Sequence, residues 1–197
     1  MYTSVARKKP MPITKPGSRP HNILAICLDS GDTLVDEGTE IKDAQEVVLQ
    51  AELIPGAEEL VRELKRRGYT VALVADGPAG SFHNIYHQYQ LYDHFDAFAI
   101  SSEVGVEKPD ARMFRHALDQ LGIPPQQYGQ TIMVGNNLAR DIKGANALGI
   151  ISVWLDWAPR RAKVPADASE APQYTIKWPL ELLSLVETLE QKLASSL

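Results

Sequence analysis

The chain has 197 residues and 44% hydrophobic content, enough for one well-buried domain and too little for two. Its formal net charge is −5, yet residues 1–22 hold Arg7, Lys8, Lys9, Lys15 and Arg19 with no acid, leaving about −10 on the remainder, which argues against a nucleic-acid-coating surface there. One cysteine excludes a disulfide framework and points to a reducing, cytoplasmic setting, and no apolar run approaches the roughly 18 residues of a membrane span.

Residues 1–22 also hold Pro10, Pro12, Pro16 and Pro20 and lack the apolar core of a secretory signal, so they read as a flexible basic arm ahead of a single domain over 23–197. Ile23–Leu28 is an apolar run of strand length that stops at Asp29 and is followed by Gly31, Asp32 and Thr33. Such a run predicts a buried parallel strand, and in open parallel sheets ligands collect beyond the carboxyl ends of the strands. From Leu34 to Pro55 there is room for little more than one short helix. Ala57, Leu60, Val61 and Leu64 then keep helical spacing, closed by Gly68.

A second strand is expected over 70–75, ending at Ala75 before Asp76, Gly77 and Pro78. Phe82, Ile85, Tyr86 and Tyr89 form the buried stripe of the next helix, with His83 and His87 on its flank at zinc-ligand spacing but without an evident third ligand. After a third strand near 97–100 comes EVGVEKPD, which carries Lys108. Phe114, Ala117, Leu118 and Leu121 mark a helix closed by Gly122, and a fourth strand over 131–135 leads into Gly135, Asn136, Asn137 and Asp141. Trp154 ends a fifth strand over 150–155, with Trp157 just beyond, and Leu182, Leu185, Val186, Leu189 and Leu193 mark the final helix. Strands alternating with helices predict a parallel sheet covered on both faces.

Taken in order, ILAICLDSGDTL at 23–34, EVGVEKPDARMFRHAL at 103–118 and IMVGNNLARDIKGANALG at 132–149 resemble the haloacid dehalogenase superfamily of aspartate-nucleophile hydrolases, most of which are phosphatases. PGAEELVRELKRRG at 55–68 is also similar to that family. The resemblance implies a Rossmannoid three-layer α/β/α sandwich whose central parallel sheet has the order 5-4-1-2-3, placing Asp29 mid-sheet. The short inter-motif segments leave no substantial cap. An open site of that kind takes a large substrate that closes it, or relies on self-association for cover.

By the same resemblance Asp29 is the nucleophile that accepts a phosphoryl group, Lys108 neutralises the meeting anions, and Thr33 braces the loop. Two like charges must come within bonding distance there, so a cation is required. Mg²⁺ is implied as cofactor, with Asp29, the Gly31 carbonyl, Asn136 and Asp141 as candidate ligands, all hard oxygens. Asp76 and Gly77 offer backbone amides to a phosphate, alongside Lys108. Three positions depart from the pattern: Gly31 stands where an aspartate acid/base is expected, Ala75 where a serine or threonine binds phosphate, and Asn136 where an aspartate binds metal. Losing a positioned acid costs about 10² to 10⁴ in rate, which predicts a preference for good leaving groups.

Plainer readings exist for the same residues: Asp32 orienting the turn, Asn137 capping a helix, Asp141 favouring its dipole. Three functions are therefore compatible with the sequence. One is a Mg²⁺-dependent phosphatase acting on a phosphorylated substrate, small or macromolecular, through an aspartyl-phosphate on Asp29. The second is a catalytically impaired scaffold of the same fold. The third is a metal-independent hydrolase that attacks carbon, as the dehalogenase branch does.

Overall fold

The computed structural model describes residues 21–195. In chain order the elements are β1 (Ala25–Leu28), β2 (Val35–Lys42), β3 (Val48–Leu53), α1 (Ala57–Arg66), β4 (Val71–Ala75), α2 (Ala79–Gln88) and β5 (Ala97–Ile100). They continue with α3 (Ser101–Val104), α4 (Ala111–Gln120), β6 (Thr131–Gly135), α5 (Lys143–Leu148), β7 (Ile151–Leu155), β8 (Tyr174–Ile176) and α6 (Glu181–Ala194).

Six strands form one sheet in the order β5-β4-β1-β6-β7-β8, every neighbouring pair parallel. Numbered without the β2–β3 pair, the first five strands keep the expected 5-4-1-2-3 neighbours, and β8 is an addition at the β7 edge that the expected order omits. Its three residues lie between Pro172 and Trp178, too short a run to carry a periodic signal.

Alternation along β1 divides the core into two layers. Ile26 and Leu28 join the cluster of Leu60, Val61 and Leu64 on α1, Phe82, Ile85 and Tyr86 on α2, and Leu182, Val186 and Leu189 on α6. Ala25 and Cys27 point the other way, into Met113, Phe114, Ala117 and Leu118 on α4 and Ala145 on α5. Each fully buried leucine of this kind is worth about 1.5–3 kcal/mol. The thiol of Cys27, fully enclosed in the second layer, is pushed up to about 12 by burial.

The segment from Leu34 to Pro55, with room for little more than one short helix, forms the antiparallel hairpin β2–β3. Its turn is set by Asp43, whose Oδ1 accepts from the amides of Gln45 and Val47, both at 2.9 Å. The open edge of β3 is covered by α2: Ser81 Oγ accepts from Val48 N at 2.9 Å, Asn84 Nδ2 donates to Val48 O at 2.9 Å, and Tyr89 Oη donates to Ala51 O at 2.9 Å. The hairpin is thus fastened to the domain and overhangs the carboxyl end of β1.

Residues 1–20 of the expected basic arm lie outside the described residues. Of its last two residues, His21 stacks on Tyr69 with centroids 4.0 Å apart, and Asn22 donates from both nitrogens to Glu190 Oε2. His83 and His87 pack against the ring of Tyr92, while Trp157 is half-buried against the first core layer. Among the described residues no helix is long and apolar enough to cross a membrane.

Candidate active site

Asp29 is the first residue past β1, its amide tied to Val134 O at 2.9 Å, so the central strand delivers its carboxylate to the switch between β4 and β6. Lys108, 4% exposed, reaches in from the segment between α3 and α4. Its Nζ donates to Asp29 Oδ1 at 2.6 Å and to Val74 O at 2.8 Å, and lies 2.7 Å from Asp141 Oδ1. Thr33 Oγ1 donates weakly to Asp29 Oδ2 at 3.4 Å from behind the nucleophile.

Asp141 is fully buried within a π-helical turn over Leu138–Ile142, a geometry frequent at functional sites. Its Oδ2 accepts from Asn137 N at 2.9 Å. Gly135 makes this packing possible: a Cβ there would fall 2.2 Å from Asp141 Cγ and Oδ2. Asn137 also caps the turn, its Oδ1 accepting from Ala139 N at 3.1 Å.

Two carboxylates around one ammonium leave a surplus negative charge in a dry site. Burial first, and then Asp29, push the Asp141 carboxyl well above the ordinary carboxylate range, against the pull of Lys108. Burial alone would depress the Lys108 ammonium, but Asp141, Asp29 and Asp76 outweigh it and hold it well above the ordinary lysine value. Asp141 Oδ1 accepts no well-aligned hydrogen bond even though Lys108 Nζ is close, making that contact an off-line ion pair.

Two carboxylates crowded on one ammonium suit a hard divalent cation. Asp29, the Gly31 carbonyl, Asn136 and Asp141 form an all-oxygen donor set of the kind Mg²⁺ takes. Among the described residues no cage of three or more His, Cys, Asp or Glu exists, so a cation held here would draw on a carbonyl and an amide as well. Asn136 donates from Nδ2 to Gly31 O at 3.1 Å, and a flip of that amide would turn its oxygen to the same place. Its backbone oxygen is fixed by Trp154 Nε1 at 3.0 Å, which gives the strand-end tryptophan a role beyond packing.

The phosphate-binding candidates divide. Asp76 lines the site, but its carboxylate is engaged: Oδ1 accepts from Lys108 N at 3.0 Å and Oδ2 from Arg140 Nη1 at 3.1 Å. Gly77 N donates to Ser101 Oγ at 2.8 Å, so that amide is already used within the fold. Thr33 lies beneath the cleft rather than in its lining. Asp29, Gly31, Asp76, Lys108, Asn136 and Asp141 come together around one cavity of about 220 Å³.

Arg140, Arg161 and Glu37 line the same cavity, and none of them is singled out by sequence pattern. Arg161 Nη2 donates to Glu37 Oε2 at 2.6 Å, and its Nε lies 3.5 Å from Asp32 Oδ2. Arg160 pairs with Asp32 Oδ2 at 3.1 Å and with Asp36 Oδ1 at 2.7 Å, so the segment after β7 clamps the hairpin. Asp32 thereby orients the turn, in a left-handed conformation with φ 53°. Burial and the neighbouring Asp32 carboxylate raise the Glu37 carboxyl above its ordinary value, against the pull of Arg161. These arginines carry no sequence signal, since nothing in their spacing shows which carboxylates they will meet.

A family model described as haloacid dehalogenase-like hydrolase matches residues 18–149. The chain is 36% identical over 124 residues to a phosphoserine phosphatase of Thermus thermophilus, covering 63% of this chain and 47% of that protein. It is 33% identical over 140 residues to a glyceraldehyde 3-phosphate phosphatase of Pyrococcus furiosus, covering 71% and 55%. The chain therefore spans about half the length of these curated relatives. Its fold is shared with a HAD-superfamily hydrolase from Ehrlichia chaffeensis at a TM-score of 0.66 and 17% identity, covering 87% of this chain and 99% of that one. With the matched span running through β1, Lys108 and the Asp141 turn, the chain belongs to the haloacid dehalogenase-like hydrolase family.

Proposed function

We propose that this protein is a Mg²⁺-dependent phosphatase that transfers the phosphoryl group of a phosphate ester to Asp29 and then releases it to water. The carrying observation is the Asp29 carboxylate at the mouth of the central strand, one oxygen on Lys108 Nζ at 2.6 Å and the carboxylate lining the cavity. A carboxylate attacks a phosphate dianion only when cations offset their repulsion, and Lys108 is held charged to do so. When bound, Mg²⁺ supplies further charge neutralisation at the phosphoryl oxygens. Asp141 anchors Lys108, and Arg140 brings a second cation to the cavity, balanced by Asp76 and Glu107. The names of the two relatives, both phosphatases of small phosphorylated compounds, support the same reaction class.

The test is phosphate release from a panel of aryl, acyl and alkyl phosphates by the purified chain, with and without Mg²⁺, beside Asp29→Asn. Metal-dependent release that disappears in Asp29→Asn is expected. Turnover that survives Asp29→Asn overturns the reading. A folded protein inactive on every ester points to the scaffold alternative, and halide release from a 2-haloacid without metal points to attack on carbon.

A further inference from the structure

Position 31 has no side chain, yet the space one would fill is occupied. A Cβ built on Gly31 would lie 2.1 Å from Glu37 Oε1, 2.9 Å from Glu37 Cδ and 3.0 Å from Glu37 Cγ. A carboxyl group thus arrives beside the nucleophile from β2, across the intervening turn, rather than from the strand-end loop itself. Arg161 Nη2 fixes it through Oε2 at 2.6 Å, and among the described residues no group donates to Oε1, the oxygen directed at Gly31. Glu37 lines the 220 Å³ cavity with Asp29 and Lys108 and also the adjoining cleft of about 290 Å³ under the hairpin, where the rest of a substrate has room to extend. Asp32, the nearer acid in sequence, is spent elsewhere: Oδ1 accepts from Glu37 N at 3.3 Å and Oδ2 faces Arg160.

We propose that Glu37 is the acid/base missing at position 31, and that alkyl phosphate monoesters, whose alkoxide leaving group needs a proton, are accordingly within the substrate class. This rests on the phosphatase reading above. As an Asp29 oxygen bonds to phosphorus, the bond from phosphorus to the ester oxygen breaks, and that oxygen takes the Glu37 proton and leaves as the alcohol. A water then bonds to phosphorus while Glu37 takes its proton. The bond from phosphorus to Asp29 breaks, releasing inorganic phosphate, and both side chains return to their starting states.

Glu37→Gln is nearly isosteric and keeps an oxygen for Arg161, so its thermal midpoint should match the parent. With β-glycerol phosphate and Mg²⁺, we expect Glu37→Gln to lose about 10²- to 10⁴-fold in alcohol release. With p-nitrophenyl phosphate, whose leaving group departs without a proton, the variant should release one equivalent of nitrophenolate per chain in a rapid burst and then turn over slowly. That burst is the signature, because a structural defect slows both first steps together. Glu37→Gln at parental rates on both esters, or a burst slowed as much as the alkyl reaction, overturns the assignment to Glu37 while leaving the phosphatase reading intact. A parent that lacks Asp29-dependent release from either ester overturns the phosphatase reading and the assignment with it.

Discussion

Lys108 and Arg161 each hold a carboxylate in the same cavity, but the Lys108 side chain is 2% exposed and the Arg161 side chain 33%. The floor of the cleft, Asp29 with Lys108 and Asp141, is set by strand ends and a helical turn packed in the core. The rim, Glu37 and Asp36 with Arg160 and Arg161, is a set of ion pairs between a hairpin and a loop. Charges on the floor are dehydrated and interdependent, whereas those on the rim are partly solvated and replaceable. The floor therefore ties stability to function, and the rim leaves function adjustable at small structural cost.

The sharpest way to break that contrast is activity. Asp29→Asn should lower phosphate release by about 10⁴-fold or more while leaving the fold in place, since it removes the nucleophile itself. A residual rate near the parent's would mean that the floor is not the reacting centre.

Stability separates the two regions next. Lys108→Met leaves the Asp29 and Asp141 carboxylates buried without their cation and should cost about 3–5 kcal/mol in urea unfolding. A loss below about 1 kcal/mol would place Lys108 with the exposed pairs. Alanine at two glycines sharpens the same point. At Gly135 the added Cβ meets Asp141 Cγ and Oδ2 at 2.2 Å, atoms held on every side, and should cost about 1–3 kcal/mol. At Gly31 it meets the end of the flexible Glu37 side chain, which borders two cavities and whose part-exposed pair with Arg161 can give way, so stability should stay within about 1 kcal/mol of the parent. Equal costs at the two sites would show that the rim is as rigid as the floor.

The smallest effect expected is none. Burial raises the Cys27 thiol to about 12, so it stays protonated at pH 8, where an ordinary exposed thiol is partly ionised. Native protein should resist iodoacetamide at pH 8 and be labelled only after urea unfolding. Labelling of the native protein would mean that the layer between the sheet and α4 opens readily.

Much of the floor is legible in the amino-acid order alone. An apolar run stopped by an aspartate marks the end of a buried strand, and Lys108, Asn136 and Asp141 sit at fixed distances from such runs. Helical spacing marks α1, α4 and α6, with Gly68 and Gly122 following the first two in left-handed conformations. The hairpin escapes such a reading because VDEGTEIK lacks the clear apolar alternation of a half-buried strand, its order coming instead from the Asp43 turn and from α2 side chains on the β3 edge. The engaged Gly77 amide is equally invisible, since its partner Ser101 lies 24 residues away.

Residue order alone marks the buried strands, the family resemblance and the aspartate at the centre. Those features depend on local periodicity and on a few residues at set separations, so they survive without knowledge of neighbours. Folding in three dimensions is what brings Glu37 into the space beside Gly31, pairs Asp76 with Arg140, and lets the loop after β7 grip the hairpin. These contacts join segments up to 124 residues apart, and no local pattern constrains which surface charges will meet once the sheet has brought its edges together.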